Sequence, residues 1–312
     1  MVVGIFKNDR VYEEIKNKGY ATLNKVNHEK VENLKAILGN YKNNLNFIGG
    51  ISISLLLKNK QLRREIHYSI IKELDTFLKS NFTDFKVPIA HFFSKKPGGN
   101  KVELHQDPMI TLQNQQLSFG LWLPLQETTK TNGCVWVFPK SHLMFSKFQT
   151  DFPPFEYENA LDDIMKKMIP IELEKGQALI MDNRLLHYST ENKGDFMRTG
   201  VVIKITHKGA ALFTCYPFKG KRYILKQMDD FYLNKDWVNG NSYSPNGKLA
   251  FIIDSPTKPL IRNEVLSRIE TKNNINTEEK AMRLPTLTEK LNYTLTKFKL
   301  FKNFSIFERS SS

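Results

Sequence analysis

Cysteine is scarce in this sequence: Cys134 and Cys215 are the only two among 312 residues. Two thiols cannot build the disulfide framework of a small secreted domain, and a reducing cytoplasm is the expected compartment. No apolar run approaches the roughly 20 residues that a bilayer-spanning helix needs, so no membrane span is expected. Met1 to Arg10 carries Lys7, Asp9 and Arg10 and lacks the apolar stretch of a secretory leader. Internal repeats are absent, which argues against a solenoid. Acidic residues are in deficit, 32 against 46 Lys and Arg, for a formal net charge of +14. That excess suits an acidic partner such as a carrier protein. The basic residues are spread along the chain, however, and form no recognised nucleic-acid motif, so no clear nucleic-acid partner is expected and only the charge supports one. The oligomeric state is not written in the composition.

What is present is enough apolar material, 40% of residues, to bury a sizeable core. The first third reads as helical. Asn27 is placed to cap a helix carrying Val31, Leu34, Ile37 and Leu38, and Leu62, Ile66, Ile70, Leu74 and Leu78 form a second stripe ending near Ser80 and Asn81. From about Val87 the period changes. Val87 to Lys95 is a short apolar strand. Leu117, Phe119, Leu121, Leu123 and Leu125 alternate with Ser118, Gly120, Trp122 and Pro124. Further strands are expected at 134–138, 200–206 and 211–216, with 169–173 and 177–181 as a hairpin about Glu174-Lys175-Gly176. Many short strands without interleaved helices predict a mainly β protein, a sandwich or jelly roll with flanking helices. The boundaries expected are 1–218 for the β domain with its N-terminal helices and 219–312 for a C-terminal extension packing on or closing over it. Within the extension, Leu291, Leu295, Phe298 and Phe301 sit at helical spacing in a basic tail.

The chemistry-bearing residues are few. In Leu104-His105-Gln106-Asp107-Pro108, positions 105 and 107 fall on one side of an extended chain. Far along the sequence, the apolar stretch before Met181 leads through Asp182-Asn183-Arg184-Leu185-Leu186 to His187. Two histidines and one carboxylate on one face of an octahedral ion leave positions open opposite, the arrangement that non-haem iron(II) oxygenases use. Arg198 follows at the start of the next strand, where a guanidinium can grip a carboxylate with two prongs. His28, His67, His142 and His207 read as surface or packing residues, and His91 as a core histidine that could face a pocket. Cys134 and Cys215 read as small buried hydrophobes.

These blocks resemble the phytanoyl-CoA dioxygenase family from about Tyr20 to Tyr216. The carriers are Lys96-Pro97-Gly98, His105-Gln106-Asp107, Leu121-Trp122-Leu123-Pro124-Leu125, Asn132-Gly133-Cys134 running to Pro139-Lys140-Ser141-His142, His187-Tyr188-Ser189, and Arg198. Lys140 stands where the family usually has Gly, and Asn192-Lys193-Gly194 departs from its usual Asn-x-Ser step. The resemblance implies a double-stranded β-helix (cupin-like jelly roll) with Fe(II) held by His105, Asp107 and His187. It also implies 2-oxoglutarate and O2 as co-substrates. Arg198, assisted by Ser189, would take the distal carboxylate of 2-oxoglutarate, with Gln106 and Trp122 lining the co-substrate pocket. A carboxylate at Asp107 implies hydroxylation or a related oxidation rather than halogenation. The substrate expected is a small molecule such as an amino acid, a lipid or a natural-product intermediate. The alternatives are a substrate tethered to an acidic carrier protein or to coenzyme A, and a non-catalytic binding protein on the same fold.

Overall fold

The computed structural model describes residues 4–112, 116–146, 148–149, 155–218, 220–235, 247–254, 258–271 and 282–294. In chain order the elements are α1 (Asp9–Lys18), β1 (Tyr20–Lys25), α2 (His28–Tyr41), β2 (Ile51–Ile53), α3 (Lys60–Asn81), β3 (Phe85–Lys95), β4 (Val102–His105), β5 (Ser118–Pro124), β6 (Val135–Val137) and α4 (Leu161–Met165). There follow β7 (Ile169–Ile171), β8 (Gln177–Asp182), β9 (His187–Ser189), β10 (Arg198–His207), β11 (Leu212–Phe218), β12 (Lys221–Gln227), α5 (Phe231–Asn234), β13 (Lys248–Ile253), α6 (Arg262–Thr271) and β14 (Met282–Arg283).

Two antiparallel sheets form the core of the architecture. The larger has the order β1-β8-β5-β10-β3-β2 and the smaller β4-β9-β6-β7. From β3 to β10 the chain visits them as large, small, large, small, small, large, small, large. That eight-strand alternation is a jelly roll, the double-stranded β-helix.

Side-chain alternation then sorts the residues of the large sheet. Ala90 and Phe92, Phe119, Leu121, Leu123 and Leu125, Ala178 and Ile180, and Val201, Ile203 and Ile205 point outward into one apolar cluster with Val31 and Leu34 of α2 and Ile66, Ile70, Leu74 and Leu78 of α3. The intervening residues, among them His91, Phe93, Trp122, Val202 and Lys204, face the interior. Asn27 and Asn59 cap α2 and α3, their side chains accepting from the amides of Lys30 and Leu62. Pro88 has no amide to give the ladder, and the β3–β10 register slips beside it, between Lys204 and Thr206. Gly200 is obligatory for a different reason: a Cβ there would lie 2.3 Å from the Trp122 ring.

The structure corrects two expectations. The N-terminal third is not wholly helical, since Tyr20–Lys25 and Ile51–Ile53 extend the large sheet by pairing with β8 and β3. Tertiary pairing overrides local pattern there. The turn at Glu174-Lys175-Gly176 exists, but it does not close a hairpin: β7 pairs with β6, whereas β8 pairs with β1 and β5. Gly176, at φ 78°, turns the chain from one sheet to the other.

Beyond β10, strands β11-β12-β13-β14 make a third antiparallel sheet. Phe213, Cys215, Ile224 and Ile253 of that sheet pack on Met109, Leu112 and Phe148. The Phe213 amide donates to the Ile110 carbonyl at 2.9 Å. Of the basic tail, Leu291 is exposed, and Leu295, Phe298 and Phe301 lie outside the described residues.

Lys140, where a glycine was expected by resemblance, has φ 72°. A Cβ in that left-handed region costs about 1–2 kcal/mol, which glycine's greater unfolded-state freedom partly offsets. Lys140→Gly should therefore stabilise the protein by about 0.5–1 kcal/mol. A thermal melt should show a rise of roughly 2 °C; an unchanged or lower midpoint would contradict the strain argument.

Candidate functional site

β4 delivers His105 at its last residue, and the extended exit continues to Asp107, whose amide donates to the Asn183 carbonyl at 2.9 Å. β9 opens with His187 and pairs antiparallel with β4, so that His105 and His187 are register partners. Their rings lie 4.2 Å apart between centroids. His187 Nε2 is 4.0 Å from Asp107 Oδ2. One ligand atom from each of the three residues falls within 4.8 Å of the others, the one such group among the described residues. Residues 82 positions apart in sequence thus meet because two short strands of the smaller sheet are neighbours.

The hydrogen bonds suit these atoms to a cation. His105 Nδ1 lies 2.8 Å from the Glu103 carbonyl, and His187 Nδ1 lies 2.9 Å from the Leu185 carbonyl. A carbonyl only accepts, so each Nδ1 carries the hydrogen and each Nε2 keeps its lone pair. Burial pushes His187 down to about 4 and keeps it neutral, the form that ligates. Burial alone would raise the Asp107 carboxyl, but the Lys204 ammonium outweighs it and holds the group below the usual carboxylate range. Lys204 reaches Asp107 Oδ2 from β10 and also donates to Asn183 Oδ1 at 3.1 Å. Two neutral nitrogens and an ionised carboxylate, oriented from behind, fit a divalent ion of the iron type.

The three residues stand at the wall of a cavity of about 390 Å³. Arg198, Ser189 and Trp122 also line it. The Arg198 guanidinium carbon sits 4.8 Å from the Trp122 ring centroid and 5.3 Å from that of Phe93. Its Nε is buried without a hydrogen-bond partner, and among the described residues no carboxylate pairs with the group. Burial lowers its pKa to about 10.

Gln106 is the exception among the expected site residues. Extended chain turns it to the side opposite His105 and Asp107, where its amide donates to the Arg184 carbonyl at 2.6 Å. It does not line the cavity, and its expected place in the co-substrate pocket is corrected to a buried link to the turn before His187. Sequence reading passed over Lys204, Tyr232 and Lys235, all of which line the cavity, as His91 also does. A charge inside the apolar run Val201-Val202-Ile203-Lys204-Ile205 was the available signal for Lys204.

The model of the phytanoyl-CoA dioxygenase family matches residues 64–200. A phytanoyl-CoA dioxygenase 1 of Oryza sativa subsp. japonica is 30% identical over 124 residues, covering 36% of this chain and 42% of that protein. A phytanoyl-CoA dioxygenase of Arabidopsis thaliana is 32% identical over 111 residues, covering 32% and 37%. The matched part of the chain thus spans about two fifths of the length of these curated relatives. In fold, the chain is similar to the solved structure of the epimerase SnoN, in complex with Fe3+, alpha ketoglutarate and nogalamycin RO. That likeness has a TM-score of 0.50 and 14% identity, and covers 65% of this chain and 85% of that one. The stretch that the phytanoyl-CoA dioxygenase family model matches, residues 64–200, is the one that holds His105, Asp107, His187 and Arg198.

Proposed function

We propose that the protein is an Fe(II)- and 2-oxoglutarate-dependent oxygenase that hydroxylates a small molecule. The observation that carries this reading is one cavity with a His-Asp-His cluster on its wall and a buried, carboxylate-free arginine also facing into it. His105 and His187 would hold the iron through Nε2 and Asp107 through its carboxylate. Iron(II) bound there, with 2-oxoglutarate and O2 as co-substrates, supplies the oxidising power for C–H hydroxylation, with release of succinate and CO2.

The protein's own part is binding, orientation and the exclusion of water. Arg198 is suited to the distal carboxylate of 2-oxoglutarate, its planar fork backed by the Trp122 and Phe93 rings. Lys204 fixes the Asp107 carboxylate and keeps it charged. The substrate would lie against Ile53, Leu55, Leu56, Ile89 and Ile110, with Tyr232 and Lys235 of the C-terminal part opposing the strands. A cavity of about 390 Å³ is at the small end for ligand sites and must also admit the co-substrate, which supports a compact substrate portion. The charge of +14 supports a second reading, in which that portion is carried on an acidic protein. Binding that weakens steeply with salt would favour it, and binding indifferent to salt would favour a free small molecule.

The direct test is succinate release with Fe(II) and 2-oxoglutarate across a panel of candidate substrates. Absence of both metal and 2-oxoglutarate binding would end the proposal. Asp107→Ala should abolish turnover and, by stranding the buried Lys204 ammonium, cost about 3 kcal/mol of stability. The double variant Asp107→Ala, Lys204→Met should regain most of that stability in denaturant titrations and none of the turnover. Restored turnover would mean that Asp107 is no ligand. Arg198→Ala should raise the KM for 2-oxoglutarate by roughly 100-fold, as loss of a charge-assisted contact does. The metal Kd should stay nearly unchanged; equal effects on both would remove Arg198 from the proposed role.

A further inference from the structure

We propose that Lys95 is a second cationic anchor for the distal carboxylate of 2-oxoglutarate, acting through its charge and by turning the Ser189 hydroxyl toward that carboxylate. The inference rests on the co-substrate reading above and adds to it a residue outside the cavity wall.

The register of the large sheet places Lys95 of β3 directly opposite Arg198 of β10. Side chains so paired share one face of the sheet, and like charges in that position repel. Both are buried, Lys95 at 0% and Arg198 at 2% exposure. Two adjacent buried cations are costly unless something negative answers them. The partners that the fold provides are neutral. Lys95 Nζ donates to Ser189 Oγ at 2.9 Å and to the Thr190 carbonyl at 2.6 Å. Asn192 holds the strand in place by donating from Nδ2 to the Lys95 carbonyl at 3.0 Å. Glu191, exposed on the loop after β9, is the carboxylate that acts on the ammonium. Burial and Arg198 outweigh it, and the pKa of Lys95 falls to about 7.

The hydrogen bond to Ser189 has a direction. An ammonium only donates, so Ser189 Oγ accepts from Lys95 and its own hydrogen is free to be given elsewhere. Ser189 lines the cavity beside Arg198, whereas Lys95 stands behind it. Guanidinium, ammonium and an outward hydroxyl, with no carboxylate paired to either cation, are complementary to one carboxylate. A dicarboxylate has one such group for this end and one to spare for the metal.

The test is calorimetric binding of 2-oxoglutarate and of 2-oxobutyrate to the Mn(II)-loaded protein. 2-Oxobutyrate keeps the keto acid and lacks only the distal carboxylate. For Lys95→Met the Kd of 2-oxoglutarate should rise roughly 10- to 100-fold, while that of 2-oxobutyrate should change less than about twofold. The ligand-free variant should melt no lower than the wild type, because a buried, poorly answered charge has gone. Lys95→Arg, which keeps the charge, should retain most of the 2-oxoglutarate affinity. At pH 8, 2-oxoglutarate binding to the wild type should take up protons, seen as a buffer-dependent enthalpy that Lys95→Met lacks. An equal loss for both ligands would assign Lys95 a merely structural role, and no loss for either would also overturn the inference. Failure of the wild type to bind 2-oxoglutarate at all would instead overturn the co-substrate reading from which it starts.

Discussion

Charge buried between β-sheets has to be answered, and the interior of this jelly roll contains more positive than negative charge. Lys95, Arg198 and Lys204 all project inward from adjacent strands of the large sheet. Lys204 is answered by Asp107, and its ammonium keeps that carboxylate ionised beside the neutral His187 imidazole. Among the described residues the other two are met by dipoles and aromatic faces, with Glu191 acting on Lys95 from the loop after β9. The fold tolerates this because its outer face is anchored by a large apolar cluster with α2 and α3. Stability gained there offsets the cost of burying these cations.

Much of this was legible from local pattern. The alternation in Leu117 to Leu125 identified the strand and its two faces, and the stripes at Val31–Leu38 and Leu62–Leu78 identified helices that the structure contains. Residues 105 and 107 could be read as sharing a side because extended chain alternates with period two. The same rule, applied to Gln106, would have turned it away from the pocket; resemblance overrode it. The N-terminal strands were hidden because they are short edge strands, held by partners distant in sequence rather than by any pattern of their own.

Other features depended on register, which sequence pattern does not encode. That Lys95 opposes Arg198, and His105 opposes His187, follows from which strands are neighbours and in what alignment. Lys204 announced itself as a charge within an apolar strand, yet its partner Asp107 lies nearly a hundred residues earlier. Cys134 and Cys215 were legible as small buried hydrophobes, and both are buried and without a disulfide.

The third sheet has a bearing on how such a protein diverges. The family model's match ends at residue 200, but the wall of the cavity does not: Tyr232 and Lys235 belong to it, and the Phe213 amide ties β11 to the chain just past Asp107. The His-Asp-His cluster and part of the cavity wall beside it therefore lie on stretches of polypeptide able to change at separate rates. Substitution or exchange of the C-terminal stretch can reshape what enters while the histidines and aspartate remain as they are. Chains that share the cluster can in this way come to differ in the shape of the space beside it.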